Sequence, residues 1–500
     1  MGAGELAQGI AARRFSASEA VADYVGRQNV LQPKLNAVAV ALHDQAMAAA
    51  RAADQGRPAS GQKLYGVPIS VKEVFDVAGT ASTAGLVGWA ANPRDDDAEL
   101  VRRLRDAGAI VTAKTNVPQL LLYAESDNPL YGRTNNPWDL ARTPGGSSGG
   151  EGALVAASGS PLGLGTDLGG SIRVPAHFCG ACGLRVTPGL LSLAGTADEV
   201  LFGYMPALPD SAGPIARKVS DVKLALEVLG VPVSDAGVEG LVIGLYDDDG
   251  FMAASAAVRR AVHLAGTALE SAGARVVQFE PPDPQESLDV FYGLITSDGA
   301  AALQKIIAGE QLDKRISRLM QLGTMDRWMR RMLGAGLTVA GQGRLSHLIR
   351  TTGLRTPPEV QALVARRDAY RIRFEAAVAR AGVDVLICPP HALPALTHGA
   401  SADLGPASFN YTMLYNLLGW PAGAVPVTRV RAGETERRPR SIDLMDVAAR
   451  RVDRDSAGLP VGVQVAARPN REDLVLAVMA AIEEALTGSV DYPRSPAAVA

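Results

Sequence analysis

Residues 144–173 read Pro-Gly-Gly-Ser-Ser-Gly-Gly-Glu-Gly (144–152), Ala-Leu-Val-Ala-Ala-Ser-Gly-Ser-Pro (153–161) and Leu-Gly-Leu-Gly-Thr-Asp-Leu-Gly-Gly-Ser-Ile-Arg (162–173), and no other window of this length is so rich in glycine and serine. Glycine clusters permit positive φ and close backbone approach, so each cluster holds a serine hydroxyl on a constrained turn with N–H groups facing inward. Acyl transfer needs that combination: a hydroxyl nucleophile, a proton acceptor beside it, and donors aimed at the oxyanion it creates. The acceptor lies upstream, where Gly-Val-Pro-Ile-Ser-Val-Lys-Glu (66–73) puts Lys72 at the end of an apolar, strand-like run. Burial there disfavours the ammonium form and lowers the lysine pKa from about 10.4 toward neutrality, which makes Lys72 a usable general base.

The turn Asp167-Leu-Gly-Gly-Ser171 precedes an expected helix, so the N–H groups of Leu168, Gly169, Gly170 and Ser171 are expected to converge as an oxyanion hole. Residues 145–149 also satisfy the Gly-x-Ser-x-Gly nucleophile elbow, with Ser147 as the rival nucleophile. That reading needs a downstream histidine; His391 and His398 stand in no recognisable context, and it leaves Lys72 without a role. His177, six residues after Ser171, reads as a core histidine. Cys179-Gly-Ala-Cys182 has zinc-knuckle spacing but no second pair, so it is read as structural. Gly163-x-Gly165 followed by Gly169 misses the dinucleotide spacing, and neither a P-loop nor a metal-ligand cluster occurs, so no metal and no cofactor are expected.

With Gly-Gly-Ser-Ser-Gly-Gly (145–150), Gly-Gly-Ser-Ile-Arg (169–173) and Val-Lys-Glu (71–73) in register, 99 residues from Lys72 to Ser171 and 24 from Ser147 to Ser171, the chain resembles the amidase signature family over roughly residues 60–490. Gly-Gly-Glu-Gly-Ala-Leu (149–154), Phe-Cys-Gly-Ala-Cys-Gly-Leu (178–184), Tyr-Thr-Met-Leu-Tyr-Asn (411–416) and Gly-Leu-Pro-Val-Gly-Val-Gln (458–464) are similar to the fatty acid amide hydrolase branch. The resemblance implies an α/β fold with a large mixed central β-sheet flanked by α-helices. It also implies Ser171 as nucleophile, Lys72 as base, and Ser147 bridging them after a cis Gly146–Ser147 peptide. Ser148 supports the network, and Asp167 with Arg173 ties the turn down. Leu120-Leu-Leu-Tyr123 falls where the branch lines an acyl channel, so Leu121, Leu122 and Tyr123, with Gly145 and Gly146, are the expected substrate contacts. The expected activity is hydrolysis of an apolar acyl or aryl amide. A carbamate or urethane hydrolase on the same triad, a tRNA amidotransferase A-type subunit and a non-catalytic binding protein are the other readings; the Gly-Gly-Glu-Gly-Ala variant and an apolar insertion argue against the amidotransferase.

The formal charge of −3, with both signs spread along the chain, excludes a basic nucleic-acid face and a polybasic lipid-binding tail. Three cysteines exclude a disulfide framework, and no signal peptide or spanning apolar run is present, so a cytoplasmic protein is expected, monomeric or homodimeric, whose partner is a small-molecule amide. With 500 residues and no Pro/Gly/Ser-rich linker, one domain over 1–500 is expected, with a motif core at about 60–230.

Ser16-Ala-Ser-Glu19 is a capping box that starts a helix at about Ala17 to Gln28, followed by a strand near Leu35 to Val40 and an alanine-rich helix over His43 to Asp54. Helix-then-strand units follow at 99–107 into 109–113, 253–272 into 274–279 and 358–381 into 383–388, the alternation of an α/β protein. Residues 285–350 break it with amphipathic helices. The matching region of the branch carries a cap that touches membrane, which makes Trp328, Met329, Met332 and Leu333 candidates for a hydrophobic mouth with weak membrane-surface contact; a helix pair packed on the sheet is the preferred reading, because an amphipathic stripe is usually core.

Overall fold

A computed structural model describes residues 1–499 apart from Tyr204 and Pro206. Thirteen strands occur among the described residues: β1 (Val38–Ala41), β2 (Pro68–Lys72), β3 (Ile110–Thr115), β4 (Asp127–Asn128), β5 (Gly132–Arg133), β6 (Leu162–Thr166), β7 (Cys182–Arg185), β8 (Ala212–Ala216), β9 (Val242–Leu245), β10 (Arg275–Gln278), β11 (Val385–Cys388), β12 (Ala422–Arg429) and β13 (Pro460–Ala467). Eleven form one sheet in the order β1-β3-β2-β6-β8-β7-β12-β13-β11-β9-β10, while β4 and β5 make a separate ribbon. β2 pairs in parallel with β3 and β6, and β9 with β10 and β11, whereas the strands between β6 and β11 pair antiparallel. This is the expected large mixed sheet.

The inner strands read as continuous apolar or small-residue runs because both faces are covered by helices. β2, β3, β6 and β13 are buried at every position, while the edge strands β1 and β10 keep half-exposed side chains. Ser16 Oγ accepts the N–H of Glu19 at 3.0 Å and the Glu19 carboxylate accepts the N–H of Ser16 at 2.7 Å, so the capping box starts the helix Ala17–Leu35 as the sequence indicates. The helix runs past Gln28 and through Pro33, so the strand expected from Leu35 begins only at Val38. The expected units appear as Glu99–Asp106 into β3, Ala256–Ser271 into β10 and Pro357–Arg380 into β11.

The segment 285–350 folds as Pro284–Ile295, Ala301–Ile306, Lys314–Thr324, Arg327–Val339 and Gly343–Thr351. The Pro284–Ile295 helix packs on Pro357–Arg380 and Asn410–Leu418, and Arg327–Val339 packs on Gly343–Thr351, so these helices form a layer on other helices and not a pair on the sheet. Trp328 and Met332 are 65% and 68% exposed and stand outside the core. No helix among the described residues is long and apolar enough to cross a membrane.

Candidate active site

Lys72 ends β2 and Thr166 ends β6; because these neighbours are parallel, both residues lie at the same carboxyl edge, the usual place for a site in a sheet of this kind. Ser147 lies just before the helix Gly149–Ala156, and the Gly146–Ser147 peptide is cis. Lys72 Nζ is 2.8 Å from Ser147 Oγ and 2.5 Å from Thr166 Oγ1. The lysine is fully buried, and burial holds its pKa below the ordinary lysine value against the opposing pull of Asp198, Asp210, Asp167 and Glu73. A neutral amine in contact with a serine hydroxyl is a competent proton acceptor.

Ser171 precedes the helix Arg173–Cys179, and its carbonyl accepts the N–H of Ser148, joining the two serine loops at 3.1 Å. The intervening turn is built on Asp167. Its Oδ1 accepts the N–H of Gly170 at 2.8 Å and its Oδ2 that of Ile172 at 3.0 Å. The expected oxyanion set is therefore reduced: the Gly170 N–H is committed to Asp167, while those of Leu168, Gly169 and Ser171 meet no protein acceptor among the described residues. Gly170 has φ of +135°, a conformation that favours glycine. Asp167 is clamped by the Arg173 guanidinium at 2.8 Å, both fully buried, and Arg173 also donates to Gln464 Oε1 at 2.6 Å and Asn416 Oδ1 at 2.5 Å. Burial opposes ionisation of Asp167, but Arg173, Arg185 and Asn416 outweigh it and hold the carboxyl well below the usual carboxylate range.

A cavity of about 340 Å³ opens beside these groups, with Ser147, Thr166, Leu168, Gly169, Ser171 and Asp198 in its lining. Leu121, Leu122 and Tyr123 line it as expected, joined by Phe291 and Ile295, Leu319 and Met320, and Leu345 and Leu348 from three helices of the 285–350 segment. Two expectations are corrected. Gly145 and Gly146 do not line the cavity: a Cβ on Gly145 would lie 3.1 Å from Pro175 Cα, and one on Gly146 2.2 Å from the Tyr123 carbonyl, so both are glycine for packing. Nor do Trp328, Met329, Met332 and Leu333 line the cavity, to which other helices of the same segment contribute. A larger cleft of about 710 Å³ near Met1 and Lys218 contains none of Lys72, Ser147 and Ser171.

The histidines offer Ser147 no base. His391 and His398 do not line the cavity. His177 Nδ1 accepts the N–H of Gly462 at 3.0 Å, so its Nε2 donates to the Leu393 carbonyl at 3.0 Å, and burial lowers its pKa to about 4. The nucleophile elbow is left without its partner. Cys179 and Cys182 are buried free thiols, raised well above the ordinary value by burial. No group of three His, Cys, Asp or Glu among the described residues is placed to hold a metal ion.

Residues 19–476 match the family model for amidases. The chain belongs to the amidase signature family. It is 35% identical to fatty-acid amide hydrolase 1 of Sus scrofa over 441 residues, 84% of this chain and 75% of that protein. It is 32% identical to fatty acid amide hydrolase 1 of Caenorhabditis elegans over 496 residues, 94% of this chain and 85% of that protein. A solved fatty acid amide hydrolase superposes with a TM-score of 0.82 at 26% identity, covering 98% of this chain and 86% of the other. This amidase signature enzyme is accordingly a hydrolase of carbon–nitrogen bonds other than peptide bonds.

Three groups at the site carry no sequence signal that singles them out. Thr166 sits inside the quoted glycine-rich stretch but looks like an ordinary strand residue. Asp198 and Asp210 lie in segments without a motif and reach Lys72 only through the fold: Thr166 Oγ1 donates to Asp198 Oδ1 at 2.7 Å, and the charge of Asp198 acts on Asp210.

Proposed function

We propose that the enzyme hydrolyses amides of apolar acyl or aryl groups through an acyl-enzyme on Ser171. Neutral Lys72 takes the Ser171 proton by way of Ser147, and Ser171 attacks the carbonyl carbon. The N–H groups of Leu168, Gly169 and Ser171 hold the resulting oxyanion. The proton then returns along the same path to the leaving nitrogen, and water activated by the relay releases the acid. No step calls on a cofactor.

The observation that carries this reading is the 2.8 Å contact of buried Lys72 with Ser147, beside a cavity whose lining also holds Ser171. The apolar character of the remaining lining supports the substrate class, as does the similarity to fatty acid amide hydrolases. A fluorophosphonate tests the assignment, because only an activated serine facing oxyanion donors reacts quickly. The adduct is expected on Ser171 by peptide mass; an adduct on Ser147 overturns the assignment.

A further inference from the structure

We infer that Asp198 is a positioning residue of this site: acting through Thr166, it fixes the direction of the hydrogen bonds around Lys72 so that the amine lone pair faces Ser147. The inference rests on the relay proposed above. A threonine hydroxyl has one hydrogen. Thr166 gives it to Asp198 Oδ1 at 2.7 Å, so toward Lys72, 2.5 Å away, Thr166 can only accept. Lys72 therefore commits an N–H to Thr166, and its lone pair, which Thr166 cannot engage, is free to take the proton of the Ser147 hydroxyl 2.8 Å away.

The charges around Lys72 single out Asp198. Asp167 is matched by Arg173 and Arg185. Glu73 accepts the N–H groups of Thr83 and Ala84 at 2.6 and 3.0 Å, and Lys114 is its countercharge. Glu151 bonds Ser70 and Thr115, and burial raises its pKa to about 8. Asp210 accepts the N–H groups of Ser211 and Asp167 through Oδ1. Its Oδ2 and Asp198 Oδ2 are both buried without a hydrogen-bond partner. Burial, then Asp198, raises Asp210 well above the carboxylate range, so Asp210 is the carboxyl that keeps its proton. Among the described residues Asp198 has no ion pair within 4.0 Å and no backbone donor. Its charge favours the ammonium that forms on Lys72 during attack.

The test is the pH dependence of kcat/KM for an anilide in the wild type, Asp198→Asn, Asp210→Asn, Thr166→Val and Thr166→Ser, each first checked for folding by thermal melting. Lys72 must be neutral to act, so the rate rises with pH through its pKa. Asp198→Asn removes a charge that raises this pKa, so the rising limb is expected to move to lower pH, with kcat down about 10- to 100-fold and KM within about threefold. Thr166→Val is expected to lose a similar factor and Thr166→Ser to recover most of it. Asp210→Asn, whose amide reproduces a protonated carboxyl, is expected to lose much less than Asp198→Asn. An unmoved limb in Asp198→Asn, or equal losses in both Asn variants, overturns the inference. If Asp198→Asn does not fold, equal losses in Thr166→Val and Thr166→Ser overturn it. Failure of the relay itself is distinguishable, since the rising limb then survives in Lys72→Ala.

Discussion

Glu151 shows how one buried carboxyl leaves a trace in solution. It bridges Ser70 at 2.6 Å and Thr115 at 2.8 Å, and burial lifts its pKa from 4.5 to about 8. A carboxyl raised on folding contributes stability that is complete below its unfolded value and lost as pH rises through the folded one. Glu151→Gln is therefore expected to gain on the wild type by about 1.4 kcal/mol per pH unit between those two values, read from denaturant midpoints. A difference independent of pH would remove the raised carboxyl from the account. The sequence displays Glu151 near Ser147 but gives no hint of its charge state, which depends on the burial of its helix, opposed by Ser70 and Thr115 from two strands.

At the scale of elements, the helices of the 285–350 segment divide into those that line the cavity and one that does not. Leu319→Gln and Leu348→Gln are expected to raise KM for long acyl substrates more than for short ones, since apolar burial is worth about 25 cal/mol per Å². Trp328→Ser and Met332→Ser are expected to leave KM for soluble substrates unchanged, because both side chains are exposed and outside the lining. A rise in KM for the second pair would return these residues to the mouth. The contrast marks what was legible in the sequence. Apolar periodicity reveals that a helix has a buried face, not which neighbour covers it. Local signals served well where the cause is local, as in the capping box at Ser16 and Glu19 and the helix His43–Asp54. Strand direction was not legible, because a buried run such as β12 reads the same in parallel and antiparallel pairing, and its Pro426 sits at an irregularity in register with β13. Lys72, Ser147 and Ser171 stand out in the sequence as candidates because each lies in a motif; Thr166 and Asp198 do not, because topology alone brings them together.

Across the whole molecule, Arg173 ties the Ser171 turn to distant parts of the chain, bonding Asp167, Thr412, Asn416 and Gln464. Arg173→Met leaves Asp167 buried without its main countercharge and is expected to cost about 3–5 kcal/mol in chemical denaturation. A loss below about 1 kcal/mol would show that Arg185 compensates. The proposed relay makes a further demand on Lys72, which would take the proton of Ser171 during attack and return it to the leaving nitrogen. An amine anion is an extremely poor leaving group, whereas a nitrophenolate hardly needs a proton. The most direct test is kcat/KM for a matched anilide and nitrophenyl ester of one acyl group in the wild type and in folded Lys72→Ala. The account predicts that anilide hydrolysis falls by several orders of magnitude, about 10²- to 10⁴-fold for each acid–base step, while ester hydrolysis falls less and recovers at high pH. Equal losses on both substrates would contradict it, because Lys72 would then not protonate the leaving group.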